Sequence, residues 1–496
     1  MAPVLRLSGC LLVLFGLLAP GAQAQLIPIR TVPVASGDQF RLLPSESMGM
    51  GSVRYAVDDS LADAWSNPAR GLYAPDAFVG SPTFYDISQD RGAGRSFPVG
   101  GLFSGDVWFG GASLALQQIE NTNGRQLFWG QPVFDVCCIG CCGPAQTLSD
   151  VYGRNVYAAG YVGRELAEGT WAVGLGLSAS ALGAMDGVDL LYAGADRIEQ
   201  DGTITDVRLG AFRQGERDRL GLLLAHSRVS MEHDVTYTEW IWDETLQQGI
   251  LLRRIEANQD KTRTWAGQVT WDRTLAAPGW RIGVSGTVNR KLHPKIPNYA
   301  IQNIPRDPGD SWAYELGFGF SRTEEATVFA MDVAVQPIWS ETWQVADSRD
   351  VDASGGRLSV GDRSIENDFF FTNVLMRAGV SHHIERLRLQ AGLEVKSYDY
   401  DLEQIDWVEQ DFRDQRESWI EWSPTFGAVV SLSALDIRYG LRVTNGTGRP
   451  GTASDRFAVA DAVAAEADFL LAPDGPLTLE DARVVTHQLS VTLPIR

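Results

Sequence analysis

The chain has 496 residues and a formal net charge of −20, with 42 Lys+Arg against 62 Asp+Glu. That balance, with no Lys/Arg cluster anywhere along it, excludes a phosphate-binding surface and hence a nucleic-acid partner. Hydrophobic residues make up 44% and aromatics 10%, with 51 Gly and 15 Trp, so the chain is too apolar to be disordered.

Residues 1–24 read as a cleaved export signal. Arg6 lies in a short basic region, the apolar run Leu11 to Leu18 follows, and Ala22-Gln23-Ala24 is an A-x-A site that places cleavage before Gln25. The run is shorter than the about 20 residues a spanning helix needs. Leu7-Ser8-Gly9-Cys10 has the look of a lipidation box but precedes the apolar core rather than ending it. No later stretch approaches a spanning helix.

Residues 25–80 lack strand periodicity. They hold a Gly-rich turn, Ser47-Met48-Gly49-Met50-Gly51, then Tyr55-Ala56-Val57-Asp58-Asp59, then an Asn-Pro turn in Ala64-Trp65-Ser66-Asn67-Pro68-Ala69.

From about residue 105 onward the pattern is one of strands, roughly 10 to 15 residues each, in which apolar residues take every second position. Trp171, Val173, Leu175, Leu177, Ala179 and Ala181 alternate with Ala172, Gly174, Gly176, Ser178 and Ser180. Trp312, Tyr314, Leu316, Phe318 and Phe320 alternate with Ala313, Glu315, Gly317, Gly319 and Ser321. Leu387 to Lys396, Leu435 to Thr444 and Val485 to Ile495 repeat the rhythm. Such strands exceed the usual five or six residues of soluble sheets. Trp and Tyr recur at their ends, and tight turns alternate with long connections. The expectation is an all-β transmembrane antiparallel barrel occupying residues 81–496. Long loops near 120–150, 185–202, 231–260, 293–310, 341–366, 403–418 and 446–482 imply about fourteen strands between 105 and 496. A further hairpin within 81–104 makes sixteen the alternative.

A folded segment ahead of a barrel has a natural place inside the lumen. Gly49, Gly51, Ala56, Asp58, Asp59, Asn67, Pro68 and Ala69 follow one another in the order and spacing of the N-terminal signature of the FadL/TodX-type outer-membrane transporter superfamily, which includes PorV-like barrels of the type IX secretion system. The match covers residues 25–80 in part, and the rest of the chain resembles the family in architecture only. The resemblance implies an N-terminal lumenal plug (residues 25–80) and a location in the outer membrane of a Gram-negative cell. It further implies contact with outer-membrane lipid and the barrel-assembly machinery, and passage of small hydrophobic ligands such as long-chain fatty acids or aromatics. The PorV-like branch leaves a second function open, an anchor or carrier for a protein partner held at the surface loops. The sequence ends Leu493-Pro494-Ile495-Arg496, without the terminal aromatic residue that such barrels often carry.

Arginines and lysines facing lipid would cost about 2–4 kcal/mol each at the midplane. Arg208, Arg281, Glu315, Asp332, Arg388, Glu394, Lys396, Asp436, Arg438 and Arg442 are therefore expected in the lumen, as salt-bridged bracing or as a polar pathway. Asp58 and Asp59 either pair with those arginines or cap turns. Cys137, Cys138, Cys141 and Cys142 form C-C-x-x-C-C in the first long loop. Two disulfides suit an exported chain, although four thiolates could also bind Zn²⁺ or an iron–sulfur cluster. Segments 231–260 and 403–418 are acidic, with seven and six carboxylates against two arginines each, and Asp399-Tyr400-Asp401 with Glu403 is a weak calcium pattern. None of the six histidines sits in a recognisable catalytic frame, so the sequence argues against an enzyme and calls for no cofactor and no metal.

Overall fold

A computed structural model describes residues 26–31, 33–88, 92–120, 152–166, 170–186, 195–243, 248–293, 309–346, 358–408, 410–448 and 478–495. The export signal and the four-cysteine loop fall outside these residues.

Long alternating runs have one solution that satisfies every backbone group, an antiparallel sheet closed on itself. The strands are β1 (Ala77–Gly80), β2 (Thr83–Ile87), β3 (Ala93–Ser104), β4 (Trp108–Glu120), β5 (Tyr152–Leu166) and β6 (Trp171–Leu182). Next come β7 (Arg197–Gln214), β8 (Asp218–Asp243), β9 (Gln248–Thr274), β10 (Trp280–His293), β11 (Gly309–Glu324) and β12 (Thr327–Val345). The last five are β13 (Arg363–Ile384), β14 (Leu387–Asp406), β15 (Asp411–Ser431), β16 (Asp436–Thr447) and β17 (Val484–Pro494). From β3 to β17 each strand pairs with its neighbour in sequence.

Both β1 and β2 lie between β17 and β3. Ala77 is opposite Pro494 and Leu102, while Thr83 is opposite Gln488 and Ser96. They are two pieces of one stave, so seventeen segments make a closed barrel of sixteen. The break falls at Ser81-Pro82, because proline has no N–H for the ladder. Ser81 N–H still donates to the Pro98 carbonyl at 3.0 Å, and Leu489 N–H to that of Pro82 at 3.0 Å.

Sixteen staves correct the preferred count of fourteen. The fourteen strands from residue 105 onward are there, as β4 to β17. The remaining hairpin is the one within 81–104, whose first half reaches back to Ala77 and hides from a periodicity argument because Ser81-Pro82 interrupts it. Two acidic loops are corrected as well. Residues 231–260 are mostly the extended ends of β8 and β9, with Glu232 paired across to Gln259 and His233 to Asn258. Residues 403–418 are likewise the ends of β14 and β15 around a short connection. Alternation continues there, with Met231, His233 and Val235 buried, and the charges of Glu232 and Asp234 on the other face masked it.

The two faces settle the class. Leu175, Leu209 and Leu224 sit side by side on three neighbouring strands and point outward, 43%, 56% and 50% exposed. Leu316, at 71%, lies opposite Val335 in the same outward band. The inward positions carry Asn155, Asp206, Arg208, Glu315, Asp332 and Glu394, all buried. Apolar outside and polar inside is the arrangement of a membrane barrel and the reverse of a soluble sheet.

Residues 26–76 run along the inner face. Their local structure is turns: Met48–Met50, a single helical turn Asp63–Ser66, and Pro68–Tyr73. Asn67 caps the last, its side chain accepting from Ala69 N–H at 3.1 Å, and Pro68 takes the first position, where its missing N–H costs nothing. Glycines in the wall make room for this backbone. A Cβ on Gly427 would lie 3.0 Å from Gly49 Cα, one on Gly392 2.2 Å from Gly51 N, and one on Gly174 2.6 Å from Pro68. Gly51 itself has φ +71°, a left-handed conformation that lets the turn end against the Leu393 and Ala378 carbonyls.

Candidate functional site in the lumen

Inward-facing charges and the N-terminal segment meet in several clusters. At the end of the barrel that carries the short turns, Asp58 accepts from Arg219 (3.1 and 2.8 Å), Arg281 (2.9 and 3.2 Å) and Arg70 (2.9 Å). Asp272 on β9 bridges the two wall arginines, accepting from Arg219 Nε at 3.0 Å and Arg281 Nε at 2.8 Å. Burial alone would raise the Asp58 carboxyl, but the hydrogen bonds and charge of Arg219, with Arg70, hold it below the usual carboxylate range. Asp59 does a different task inside the segment. Its two oxygens accept from Ser45 Oγ (2.6 Å), Glu46 N–H (2.8 Å), Ser47 N–H (3.1 Å) and Ala62 N–H (3.1 Å). The adjacent acids thus divide between the two readings open in the sequence: Asp58 meets arginines and Asp59 caps a turn.

Farther along, Glu315 accepts from Arg54 (2.9 Å), Tyr55 OH (3.0 Å) and Gln336 (2.7 Å), while Asp332 accepts from Arg54 N–H at 2.6 Å. Arg438 donates to Glu46 at 3.0 Å. Arg442 reaches Asp38 at 3.0 Å and Glu394 at 2.7 Å, and Glu394 also holds Arg377 (3.0 Å) and Lys396 (3.1 Å). Arg208 pairs with Asp206 at 2.6 Å and donates to the Trp65 and Ser66 carbonyls. Arg388 and Asp436 sit on the inward register near the turn end, opposite Val429 and Ser431 respectively. Arg70, Arg219, Asp272 and Arg377 escaped the sequence reading. For the three strand residues inward parity was the available signal, but the run Leu220-Gly221-Leu222-Leu223-Leu224-Ala225 conceals the alternation of β8, and Arg70 lies in a turn where no parity applies.

A cavity of about 790 Å³ lies between the segment and the inner wall, lined by Leu26, Pro28, Ile29, Phe40, Ile204, Leu223 and Val229, with Arg54, Asp63, Arg70, Arg208 and Lys291 among its polar members. Asp63 pairs with Arg70 at 2.6 Å and accepts from Asp59 N–H at 3.1 Å. Burial raises its carboxyl to about 7 despite Arg70. A smaller pocket near Trp65, Tyr157 and Tyr161 adjoins it. A third hollow, lined by Leu222, Leu224, Val269 and Leu316 around Gly267 and Gly286, opens on the outward face.

Asp399 and Asp401, weighed as calcium ligands, lie on β14 and face Arg416 at 3.2 and 3.9 Å. Among the described residues no group of three His, Cys, Asp or Glu side chains is placed to hold a metal ion.

No protein-family model matches the chain, and no curated protein does. Solved structures do. The toluene transporter TbuX of Ralstonia pickettii is 11% identical, covering 91% of this chain and 97% of its own, with a TM-score of 0.39. A FadL homologue of Pseudomonas aeruginosa is 10% identical, covering 94% and 100%, with a TM-score of 0.41. CdiB of Escherichia coli is 11% identical, covering 84% of this chain and 63% of its own, with a TM-score of 0.40. At such identities and scores nothing about substrate or mechanism carries across.

Proposed function

We propose that the chain is an outer-membrane barrel that passes small hydrophobic molecules, long-chain fatty acids or aromatics, through a lumen gated by residues 26–76. The observation that carries this reading is the cavity beside the segment, where Leu26, Pro28, Ile29, Phe40, Ile204, Leu223 and Val229 supply apolar lining in a lumen otherwise braced by ion pairs. Such a space favours an apolar body with at most one polar end and disfavours a hydrated sugar. The segment is the movable element. It is held by ion pairs and by apolar packing, as of Leu42 in one cluster with Tyr157 and Leu182, but by no stave-length backbone ladder, so it can leave its place without breaking the wall. The Ser81-Pro82 break lies beside the segment's Leu43 and Trp65, at a small hollow shared with Val79 and Val99. The barrel class supports an outer-membrane address, and this reading expects outer-membrane lipid and the assembly machinery as general partners.

Uptake of a labelled fatty acid or monoaromatic by Gram-negative cells carrying the protein tests the reading. Uptake is expected to exceed that of vector-only cells and to fall when Leu223→Trp and Ile204→Trp fill the cavity. Uptake equal to the vector control, with a stoichiometric protein co-purifying, would instead favour a carrier for a protein partner.

A further inference from the structure

We propose that Arg219 and Arg281 form a carboxylate-binding site at the turn end of the lumen, filled in this structure by the chain's own Asp58 and open to exchange with a free carboxylate. Each guanidinium grips Asp58 through both terminal nitrogens, at 2.8–3.1 Å from Arg219 and 2.9–3.2 Å from Arg281. Two forks on one carboxylate is the geometry of anion recognition.

The site belongs to the wall. Asp272, on the strand between those of Arg219 and Arg281, takes both Nε groups, so the two forks stay aimed into the lumen when the segment is elsewhere. Two guanidiniums and one carboxylate then leave one positive charge unmatched. Arg70, the third donor to Asp58, travels with the segment, as does its other partner Asp63. Asp58 is 47% exposed on its side chain, so a solute at the mouth can approach the carboxylate it must replace. A tethered group competes at an effective concentration of order millimolar, so an external carboxylate displaces Asp58 only when it accumulates at the mouth. The contact is therefore an internal ligand holding the segment in place. Arg219 and Arg281 do not line the cavity, although Arg70 does, and the site stands or falls independently of what that cavity passes.

Calorimetric titration of sodium butyrate into the full chain in detergent tests the proposal, with butanol and inorganic phosphate as parallel arms. Asp58→Ala is expected to bind butyrate at least tenfold more tightly than the unaltered chain, and Asp58→Ala combined with Arg281→Ala to lose that gain. Butanol should bind neither variant differently. Heat-dependent gel mobility reports the folded barrel; if Asp58→Ala lacks it, Asp58→Asn keeps the shape without the charge and should show the same gain. Equal butyrate affinity with and without the Asp58 carboxylate would overturn the proposal, as would phosphate binding as tightly as butyrate. Either result would leave hydrophobic uptake untouched, whereas loss of uptake with an intact butyrate gain would leave this site standing.

Discussion

Two glycines three residues apart on β10 should respond oppositely to the same small change. Gly283 points inward, and a Cβ there would lie 1.8 Å from the Tyr55 carbonyl oxygen and 2.5 Å from its carbon. Real Cβ contacts essentially never fall under 3.0 Å, so Gly283→Ala forces the segment's backbone away from the wall. That movement weakens the bonds from Arg54 N–H and Tyr55 N–H to Asp332. Overpacking costs roughly 1–3 kcal/mol and loss of a bond to a charged group roughly 1.5–3. Together, roughly 3–5 kcal/mol should separate docked from undocked segment, a population shift of about a hundredfold or more. Gly286 points outward with nothing within 4 Å, so Gly286→Ala meets no atom and gains a few tenths of a kcal/mol or so from backbone entropy. Hydrogen exchange on peptides covering residues 45–60 reads the difference. Gly283→Ala should lose protection there by about a hundredfold while the staves keep theirs, and Gly286→Ala should match the unaltered chain. Equal protection in the two variants would refute the packing of the segment against β10.

Other outcomes follow from the same geometry. Glu394→Gln leaves Arg377, Arg442 and Lys396 without their shared carboxylate; a cost of about 3–5 kcal/mol should appear as a lowered urea midpoint. Burial raises Asp63 to about 7, above its unfolded value, so its contribution to docking is complete below about 3.9 and lost as pH rises through 7. Protection of residues 60–70, corrected for intrinsic exchange, should therefore be greater at pH 5 than at pH 8, and Asp63→Asn should flatten the difference. Asp38 runs the other way: burial would raise it, but Arg442 and Arg41 bring it to about 2, so its contribution is present above about 3.9 and disappears only as pH falls toward 2. Thiol titration of Cys137, Cys138, Cys141 and Cys142 should find no free thiol before reduction and all four after it; four reactive thiols at the outset would exclude disulfides.

The barrel was legible because a period of two is imposed by geometry and the lipid-facing side chains have nowhere else to go. Leu175, Leu316 and Glu394 could each be assigned a face from their neighbours alone. The count stumbled at Ser81-Pro82, where a stave breaks without ending, and the acidic loops were misread because Glu232 and Asp234 face outward on strands that continue past the apolar band. Cross-strand partnership was beyond reach. Nothing in the order of residues says that Asp272 lies between Arg219 and Arg281, or that Asp58, more than 150 positions from Arg219, closes the cluster. The role of Asp59 was equally hidden, since its partners are backbone N–H groups that any residue supplies.

The central claim is that residues 26–76 must move for a hydrophobic molecule to pass. Asp38 meets Thr486 of β17 at 2.7 Å, and residue 76 continues directly into β1, so a bond at Asp38 fixes residues 38–76 of the segment at both ends. Uptake of a labelled fatty acid by cells carrying Asp38→Cys with Thr486→Cys, measured before and after mild reduction with the unaltered chain as control, tests this directly. Uptake near the vector level while the disulfide stands, restored by reductant in the double variant alone, is the predicted result. Uptake as fast in the oxidised variant as in the reduced one would contradict the account.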